Sequence, residues 1–499
     1  MNIALLLEMV AEGAPDRLVV GSRTGGLTST ELLRRARRAA RLFGAAGAER
    51  AGFVDVNSEA LPISLFGAAL AGLPFAPVNY RLTDEQLRAI LQRLVPGVAV
   101  VGPEIPARIG AIDGLELVSR DAFIDAVADD DATEAAELEF VDPDDIAILL
   151  FTSGTTGEPK AAVLRHRHLT SYIIDTVEYL GAVVDEAQLV SVPAYHVAGV
   201  TAVLSSLYCG RRIVYLPAFD PDTWVRTVEA EAVTQAMVVP TMLGRVLDCI
   251  ERDRLELKSL RHLSYGGGRM PLELIERAMT LLPEVEFVNA YGLTETSSTV
   301  CVLTPEDHRA AMESDDPAVR RRLGSVGRPL PSIELQIRGP DGDVLGVREH
   351  GEIYVRGEQV AGEYLGRSVL TDDGWFPTND AGWLDGDGFL YLEGRLDDVI
   401  VRGAENLSPG EIEATLLAHP SVAEAAVVGI PDPEWGEAVA AAVVLVPGEQ
   451  VSEDELKQWV RSRLRSTKTP QVIQFRDGLP HNEMGKLLRR VLREELASD

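Results

Sequence analysis

Along the N-terminal part of the chain, apolar runs rich in Val, Ile and Ala recur between Gly, Pro and Asp boundaries: Gly97–Val101, Ile146–Phe151, Leu189–Val192, Arg212–Leu216 and Ala236–Val239. Each has strand length, and amphipathic stretches of helical length separate several of them, among them Asp222–Glu231 and Leu272–Leu282. That alternation predicts α/β layers with largely parallel strands. The opening segment, MNIALLLEMVAEG, has no basic n-region and carries Glu8 and Glu12, so a short amphipathic helix is expected rather than a signal peptide. From Leu61 to Asn79 no charge occurs, which approaches membrane-spanning length. Pro62, Gly67, Gly72, Pro74 and Pro77 interrupt that stretch and predict a buried helix, a turn and a strand instead.

After about residue 324 the texture changes. Short alternating runs (Ile333–Arg338, Gly351–Val355, Gly388–Leu392) are broken by turn signals such as Pro340-Asp341-Gly342, and a small β-barrel-like segment is expected over 324–393. From about residue 399 the order is a helix (Pro409–Leu417), two strands (Val422–Ile430 and Ala438–Val446) and a helix (Glu453–Leu464), the pattern of a compact α+β domain. A chain of 499 residues exceeds what one hydrophobic core supports. The expected organisation is therefore a large α/β domain over 1–393, a connection at 394–398 and a smaller α+β domain over 399–499.

Composition adds constraints to this picture. With 46% hydrophobic and 25% charged residues, the chain is globular in character. A net charge of −30 repels nucleic acid and anionic lipid at long range, so neither is an expected partner. Any anionic ligand must be captured by local cations or backbone donors. The arginines at 34, 35, 37, 38 and 41 follow a capping pattern, Thr28-Ser29-Thr30-Glu31, and are expected on a solvated helix face. Cys209, Cys249 and Cys301 lie far apart without a C-x-x-C, which predicts neither disulfides nor a zinc knuckle and fits the cytosol.

The strongest local feature is Leu149-Leu-Phe-Thr-Ser-Gly-Thr-Thr-Gly-Glu-Pro-Lys160, an apolar strand running into hydroxyls and glycines and ending in a lysine. Glycines expose backbone N–H groups to an anion, hydroxyls donate, and the lysine neutralises charge, so Thr152, Ser153, Gly154, Thr155, Thr156, Gly157 and Lys160 are candidate phosphate ligands. The spacing is not that of a P-loop NTPase, since Gly154 and Gly157 are three apart and Pro159 precedes Lys160. A plain Gly/Thr hairpin turn is the alternative reading.

Further segments follow in order: Pro193-Ala-Tyr-His196, Ser264-Tyr-Gly-Gly-Gly268, Asn289-Ala-Tyr-Gly-Leu-Thr-Glu295, Trp375-Phe-Pro-Thr-Asn-Asp380, Gly394-Arg-Leu-Asp-Asp398, Gly403-Ala-Glu-Asn406 and Pro480-His-Asn-Glu-Met-Gly-Lys486. Together with the hydroxyl loop, and across almost the whole chain, this set resembles the superfamily of adenylate-forming enzymes: acyl-CoA synthetases, adenylation domains and firefly-type luciferases. The resemblance implies activation of a carboxylic acid by ATP and Mg²⁺, then transfer to coenzyme A, with a mobile C-terminal domain turning about Asp397. It implies an acyl pocket at His196, Val197, Gly199, Val200, Ser264 and Gly266. It implies a nucleotide site at Gly266, Gly267, Gly268, Asn289, Ala290, Tyr291, Gly292, Asp380 and Arg395. Catalytic roles fall by resemblance on Thr294, Glu295, His196 and Lys486, and a CoA channel on Gly403, Ala404, Glu405 and Asn406.

Each residue type suits its implied role. Tyr291 offers an aromatic face to adenine, and glycines at 266–268 let backbone lie against the base. Glu295 is a hard oxygen donor for Mg²⁺. The short carboxylate of Asp380 can accept two ribose hydroxyls, and Arg395 is a permanent cation within reach of ribose or phosphate. Lys486 can face both the attacking carboxylate and the α-phosphate.

Where adenylation domains for amino acids carry an aspartate, this chain has His196, which disfavours a substrate ammonium. Glu295 is followed by Gly324-Ser-Val-Gly-Arg-Pro329 without the insertion usual in acyl-AMP ligases that load carrier proteins, which favours CoA. Such a carrier ligase and a non-catalytic adenylate-binding homologue are the alternatives, and a homodimer is a compatible assembly. Asn379 and Ala404 stand where the family often has glycine; asparagine tolerates left-handed backbone. The small side chains of Val197-Ala-Gly-Val200 and Gly266–Gly268 allow a bulky hydrophobic acid: fatty, aryl or polycyclic.

Overall fold

The structure is a computed structural model that describes residues 1–128, 141–152, 160–402, 405–433, 435–481 and 487–498. The chain forms two compact units: Met1–Leu323 with Pro329–Glu334 and Val355–Phe376, and Gly324–Arg328 with Leu335–Tyr354 and Pro377–Asp499. Residues 324–328, 335–354 and 377–393, expected with the large domain, group with the C-terminal segment in the second unit.

Two mostly parallel sheets build the first unit, as the alternating pattern predicts. In one, Glu286–Leu293, His262–Gly266, Gln235–Val238, Ala187–Val190, Arg212–Tyr215 and Leu18–Val20 run parallel in that order. Antiparallel Ser298–Leu303 and Leu27–Thr28 flank them. In the other, Ile146–Thr152, Phe75–Pro77, Arg50–Val54, Gly97–Val101 and Leu115–Ser119 run parallel, and antiparallel Lys160–Arg165 extends the sheet. All five residues of Gly97–Val101 are buried, because a parallel strand covered on both faces is apolar throughout.

The stretch from Leu61 to Asn79 folds as expected. Helix Ala60–Leu70 is buried at every position and leads through a turn into strand Phe75–Pro77. At 11 residues it is about 16 Å long, short of a bilayer core. Among the described residues no helix is long and apolar enough to cross a membrane. Helix Ser29–Ala45 starts with the anticipated capping box, Glu31 N–H donating to Thr28 Oγ1 at 3.2 Å and Thr28 N–H to Glu31 at 2.9 Å. Its arginine face departs from expectation. All five arginines are half-buried, Arg37 pairing with Glu8 at 3.2 Å and Arg38 donating to Val127 O at 3.1 Å. Long arginine stems cover apolar neighbours while their heads find acceptors.

The second unit carries most of a four-stranded sheet ordered Glu334–Arg338, Gly351–Arg356, Phe376–Leu384 and Leu390–Arg395. Its end strands do not pair with each other, so the expected barrel-like segment is an open sheet; four strands leave no interior for side chains. A second sheet joins Ile400–Arg402, Glu405–Leu407, Val422–Asp432, Gly436–Leu445 and Val472–Phe475. Ile412, Leu416, Leu456 and Val460, from helices Pro409–Leu417 and Glu453–Arg461, pack with Val427, Val439 and Val443 on one side of it. Leu492 and Leu496 of helix Arg489–Ser498 pack with Ala426, Val428 and Ala440 on the other.

Candidate active site

In open parallel sheets ligands gather at the C-terminal ends of strands, and the first unit places several predicted residues there. Strands His262–Gly266 and Glu286–Leu293 are in register, Tyr265 beside Asn289 and Gly266 beside Ala290. A Cβ on Gly266 would lie 2.4 Å from Ala290 O, so only glycine lets the two backbones approach. Gly267 follows with φ +75°. Gly268 is not constrained in this way, since a Cβ there meets nothing closer than Pro240 at 3.8 Å. Asn289 and Tyr291 are buried, Ala290 and Ser264 half-buried. A Cβ at Gly292 would stand 1.7 Å from Ser298 O, where the antiparallel return strand crosses. That crossing turns the chain into a short 3₁₀ helix, Thr294–Thr296.

Glu295 sits on this turn with only 9% exposure. Its carbonyl accepts Ala361 N–H at 2.9 Å and Gly362 N–H at 3.0 Å. Behind it, buried Gln359 donates to Thr296 O at 3.0 Å and Thr299 O at 2.7 Å. The Tyr364 hydroxyl donates to Glu295 Oε1, while Lys160 Nζ lies 5.7 Å from the Tyr364 ring centroid. Oε2 of Glu295 has no hydrogen-bond partner among the described residues. Gln359 and Tyr364 were not singled out from the sequence. They fall in Gln359-Val-Ala-Gly-Glu-Tyr364, where neither spacing nor composition marks a site.

Thr152 and Lys160 are cross-strand partners at the end where the antiparallel strands Ile146–Thr152 and Lys160–Arg165 are joined in sequence. The side chain of Thr152 and residues Ser153, Gly154, Thr155, Thr156 and Gly157 lie outside the described residues. On the other side, His196 is half-buried at the N-terminus of helix Val197–Tyr208, its ring 4.8 Å from that of Tyr195. Val197, Gly199 and Val200 form the first turn of that helix.

In the second unit, Asp380 and Arg395 are directly opposed in an antiparallel ladder, with Arg395 Nη1 3.1 Å from Asp380 Oδ1. Asp380 is 9% exposed, and Asn379 beside it has φ +60°, the left-handed conformation that asparagine tolerates. Asp397 is exposed within the 3₁₀ turn Leu396–Asp398. Arg489 ties the end of that turn into the domain, 3.3 Å from Asp398 and 2.6 Å from Glu413. Gly403, Ala404, Lys486 and the side chains of Glu405 and Asn406 lie outside the described residues. Flanking Lys486, His481 and Leu487 form an antiparallel bridge.

The donor set bears on a metal. Among the described residues no group of three or more His, Cys, Asp or Glu converges. One acidic side chain with a free oxygen suits Mg²⁺, which typically takes one or two carboxylates together with substrate phosphates rather than an all-protein cage.

The sequence profile of the AMP-binding enzymes matches residues 7–365, and that of the AMP-binding enzyme C-terminal domain matches residues 411–486. A feruloyl-CoA synthase of an Amycolatopsis species is 35% identical over 481 residues, covering 94% of each chain. A fatty acid–[acyl-carrier-protein] ligase of Streptomyces coeruleorubidus is 33% identical over 491 residues, 95% of this chain and 92% of that one. Among solved structures, o-succinylbenzoate CoA synthetase from Bacillus subtilis, in complex with its acyl-adenylate intermediate, superposes with TM-score 0.83 at 29% identity, covering 98% of this chain and 97% of that one.

Proposed function

The chain belongs to the AMP-binding enzyme family, and from that premise we infer that it is a carboxylic acid–CoA ligase of the AMP-forming kind, using ATP and Mg²⁺. The observation that carries the reading is the junction at the strand ends of the first unit. There Gly266, Asn289, Ala290 and Tyr291 lie side by side and lead directly into the buried carboxylate of Glu295.

A carboxylate is a poor electrophile, so the acid is first activated. One of its oxygens attacks the α-phosphorus of ATP, the bond to the β-phosphate oxygen breaks, and pyrophosphate leaves with the electron pair. Tyr291 and the Gly266–Gly268 backbone orient the adenine, and Asp380, itself oriented by Arg395, accepts the ribose hydroxyls. Glu295 would hold Mg²⁺, which supplies charge neutralisation at the phosphates. Lys486 offsets the repulsion between the attacking carboxylate and the α-phosphate. In the second half the CoA thiolate adds to the acyl carbon and AMP leaves, the C-terminal domain having turned about Asp397 to bring the 403–406 loop into play. The acid is aryl or fatty, in keeping with the feruloyl and fatty-acid relatives, and the cytosol is the location we assign.

The carrier-protein relative supports a second acceptor, and one experiment separates them. Purified protein given ATP, Mg²⁺ and a panel of aryl and fatty acids should release pyrophosphate and form a CoA thioester. Pyrophosphate without thioester for any acid would remove CoA as acceptor; no pyrophosphate at all would remove the ligase.

A further inference from the structure

The strand that delivers Tyr364 to Glu295 is short. Glu363–Tyr364 is two residues long and meets strand Lys160–Arg165 at Tyr364 opposite Ala162, with Leu365 N–H donating to Ala161 O at 2.9 Å. A ladder of that length does little to fix where its side chains stand, so cross-strand side-chain pairs carry more of the task. Successive residues of a strand point to opposite faces, and Glu363 and Tyr364 can therefore be held from two sides at once.

Strand Lys160–Arg165 presents a cation to each of them. With Tyr364 opposite Ala162, the antiparallel register sets Glu363 opposite Val163, so Lys160 and Arg165 are their diagonal neighbours. Lys160 Nζ lies 5.7 Å from the Tyr364 ring centroid, within cation–π range. Arg165 grips Glu363 with a two-pronged fork, Nε donating to Oε2 at 2.9 Å and Nη2 to Oε1 at 2.7 Å. The fork is itself fixed: Arg165 Nη1 donates to Asp144 O, and its backbone N–H to His168 Nδ1 at 3.3 Å. Side-chain exposures of 27% and 24% keep the pair partly out of solvent, where screening is weaker.

We propose that Arg165 is a positioning residue for Glu295, acting through Tyr364: its fork on Glu363 fixes the strand from which the Tyr364 phenol reaches Glu295 Oε1. The inference rests on the reading that Glu295 holds the metal. Arg165 touches neither Glu295 nor any residue assigned to nucleotide or acid. Its effect passes along one chain of contacts, from guanidinium to Glu363, to the adjoining Tyr364, and from the phenol to the carboxylate. An ion pair whose sole effect is local cohesion would lower stability when broken and leave metal affinity alone.

The test is a Mn²⁺ titration followed by electron paramagnetic resonance, with α,β-methylene-ATP present so that no turnover is needed, and with Tm measured alongside. Arg165→Met and Glu363→Gln should each weaken Mn²⁺ binding about threefold to tenfold, the range of coupling within one hydrogen-bonded network. The double variant removes both charges and should show the same loss, which an uncompensated carboxylate then cannot explain. Arg165→Lys keeps the cation without the fork and should recover part of it. In the Tyr364→Phe background Arg165→Met should add little, because the phenol is the link. A lowered Tm with unchanged Mn²⁺ binding, or a loss that adds in full to that of Tyr364→Phe, overturns the positioning role and leaves Glu295 as the metal ligand. Undiminished Mn²⁺ binding in Glu295→Gln overturns that reading of Glu295 instead.

Discussion

Glu295 is held from both ends, its carbonyl by two backbone N–H groups and one carboxylate oxygen by Tyr364. The remaining oxygen is thereby aimed, and a carboxylate that cannot swing loses less freedom on meeting a metal. Removing the phenol should therefore weaken the metal requirement's grip rather than unfold the chain. Hydrogen bonds to charged groups contribute about 1.5–3 kcal/mol, so in Tyr364→Phe the Mg²⁺ concentration for half-maximal pyrophosphate release should rise roughly tenfold. An unchanged Mg²⁺ titration with a lowered Tm would reduce Tyr364 to packing. Residues of this sort illustrate the limit of reading at this scale. The glutamate stood in a recognisable run, Asn289–Glu295, and Asn379 betrayed its left-handed backbone by its type. Tyr364 is 69 residues from its partner, and nothing local marks it.

Helix His166–Thr176 brings a second kind of constraint. His166 and His168 are 1% and 2% exposed, and each uses Nδ1 as an acceptor, from Ile3 N–H and Arg165 N–H, both at 3.3 Å. An accepting Nδ1 requires a neutral ring, and burial pushes both histidines down from 6.5 to about 4. Below 6.5 the unfolded chain takes up these protons and the folded chain does not. The stabilisation is therefore complete above pH 6.5 and is lost as pH falls towards 4, on the order of 3 kcal/mol per histidine. Urea midpoints measured across this range should fall with acidification. His166→Gln, which keeps an acceptor but cannot titrate, should flatten the slope, and an equally steep slope would exclude His166 as its source. The element itself was not among those read from the sequence. Its neighbours were: Gly97–Val101 and Ile146–Phe151 stood out because a strand buried on both faces has to be apolar throughout. The antiparallel strand Lys160–Arg165, with arginine and lysine at its ends, had no such signature.

At the scale of the whole molecule, the reaction divides into two halves that ask for different residues. In the proposed mechanism Lys486 serves the first, where two anions must meet, and has no such task once the adenylate is made. Lys486→Ala should cut pyrophosphate release by about 10²–10³-fold, in the range of other single electrostatic stabilisers, while thioester formation from preformed acyl-adenylate stays within a few-fold. Equal loss in both halves would remove the assigned role.

The sequence by itself determined the α/β layering, the buried rather than spanning character of Leu61–Asn79, the α+β C-terminal domain and the adenylating chemistry. These depend on local periodicity, on turn residues and on short runs whose members are neighbours in the chain. Tertiary structure alone decided that the β segment is an open sheet, that the arginine face is half-covered, and that Tyr364 and Gln359 secure Glu295. Each of these depends on which distant segments pack together. That is set by the burial of whole surfaces and by strand register, and no window of consecutive residues carries either.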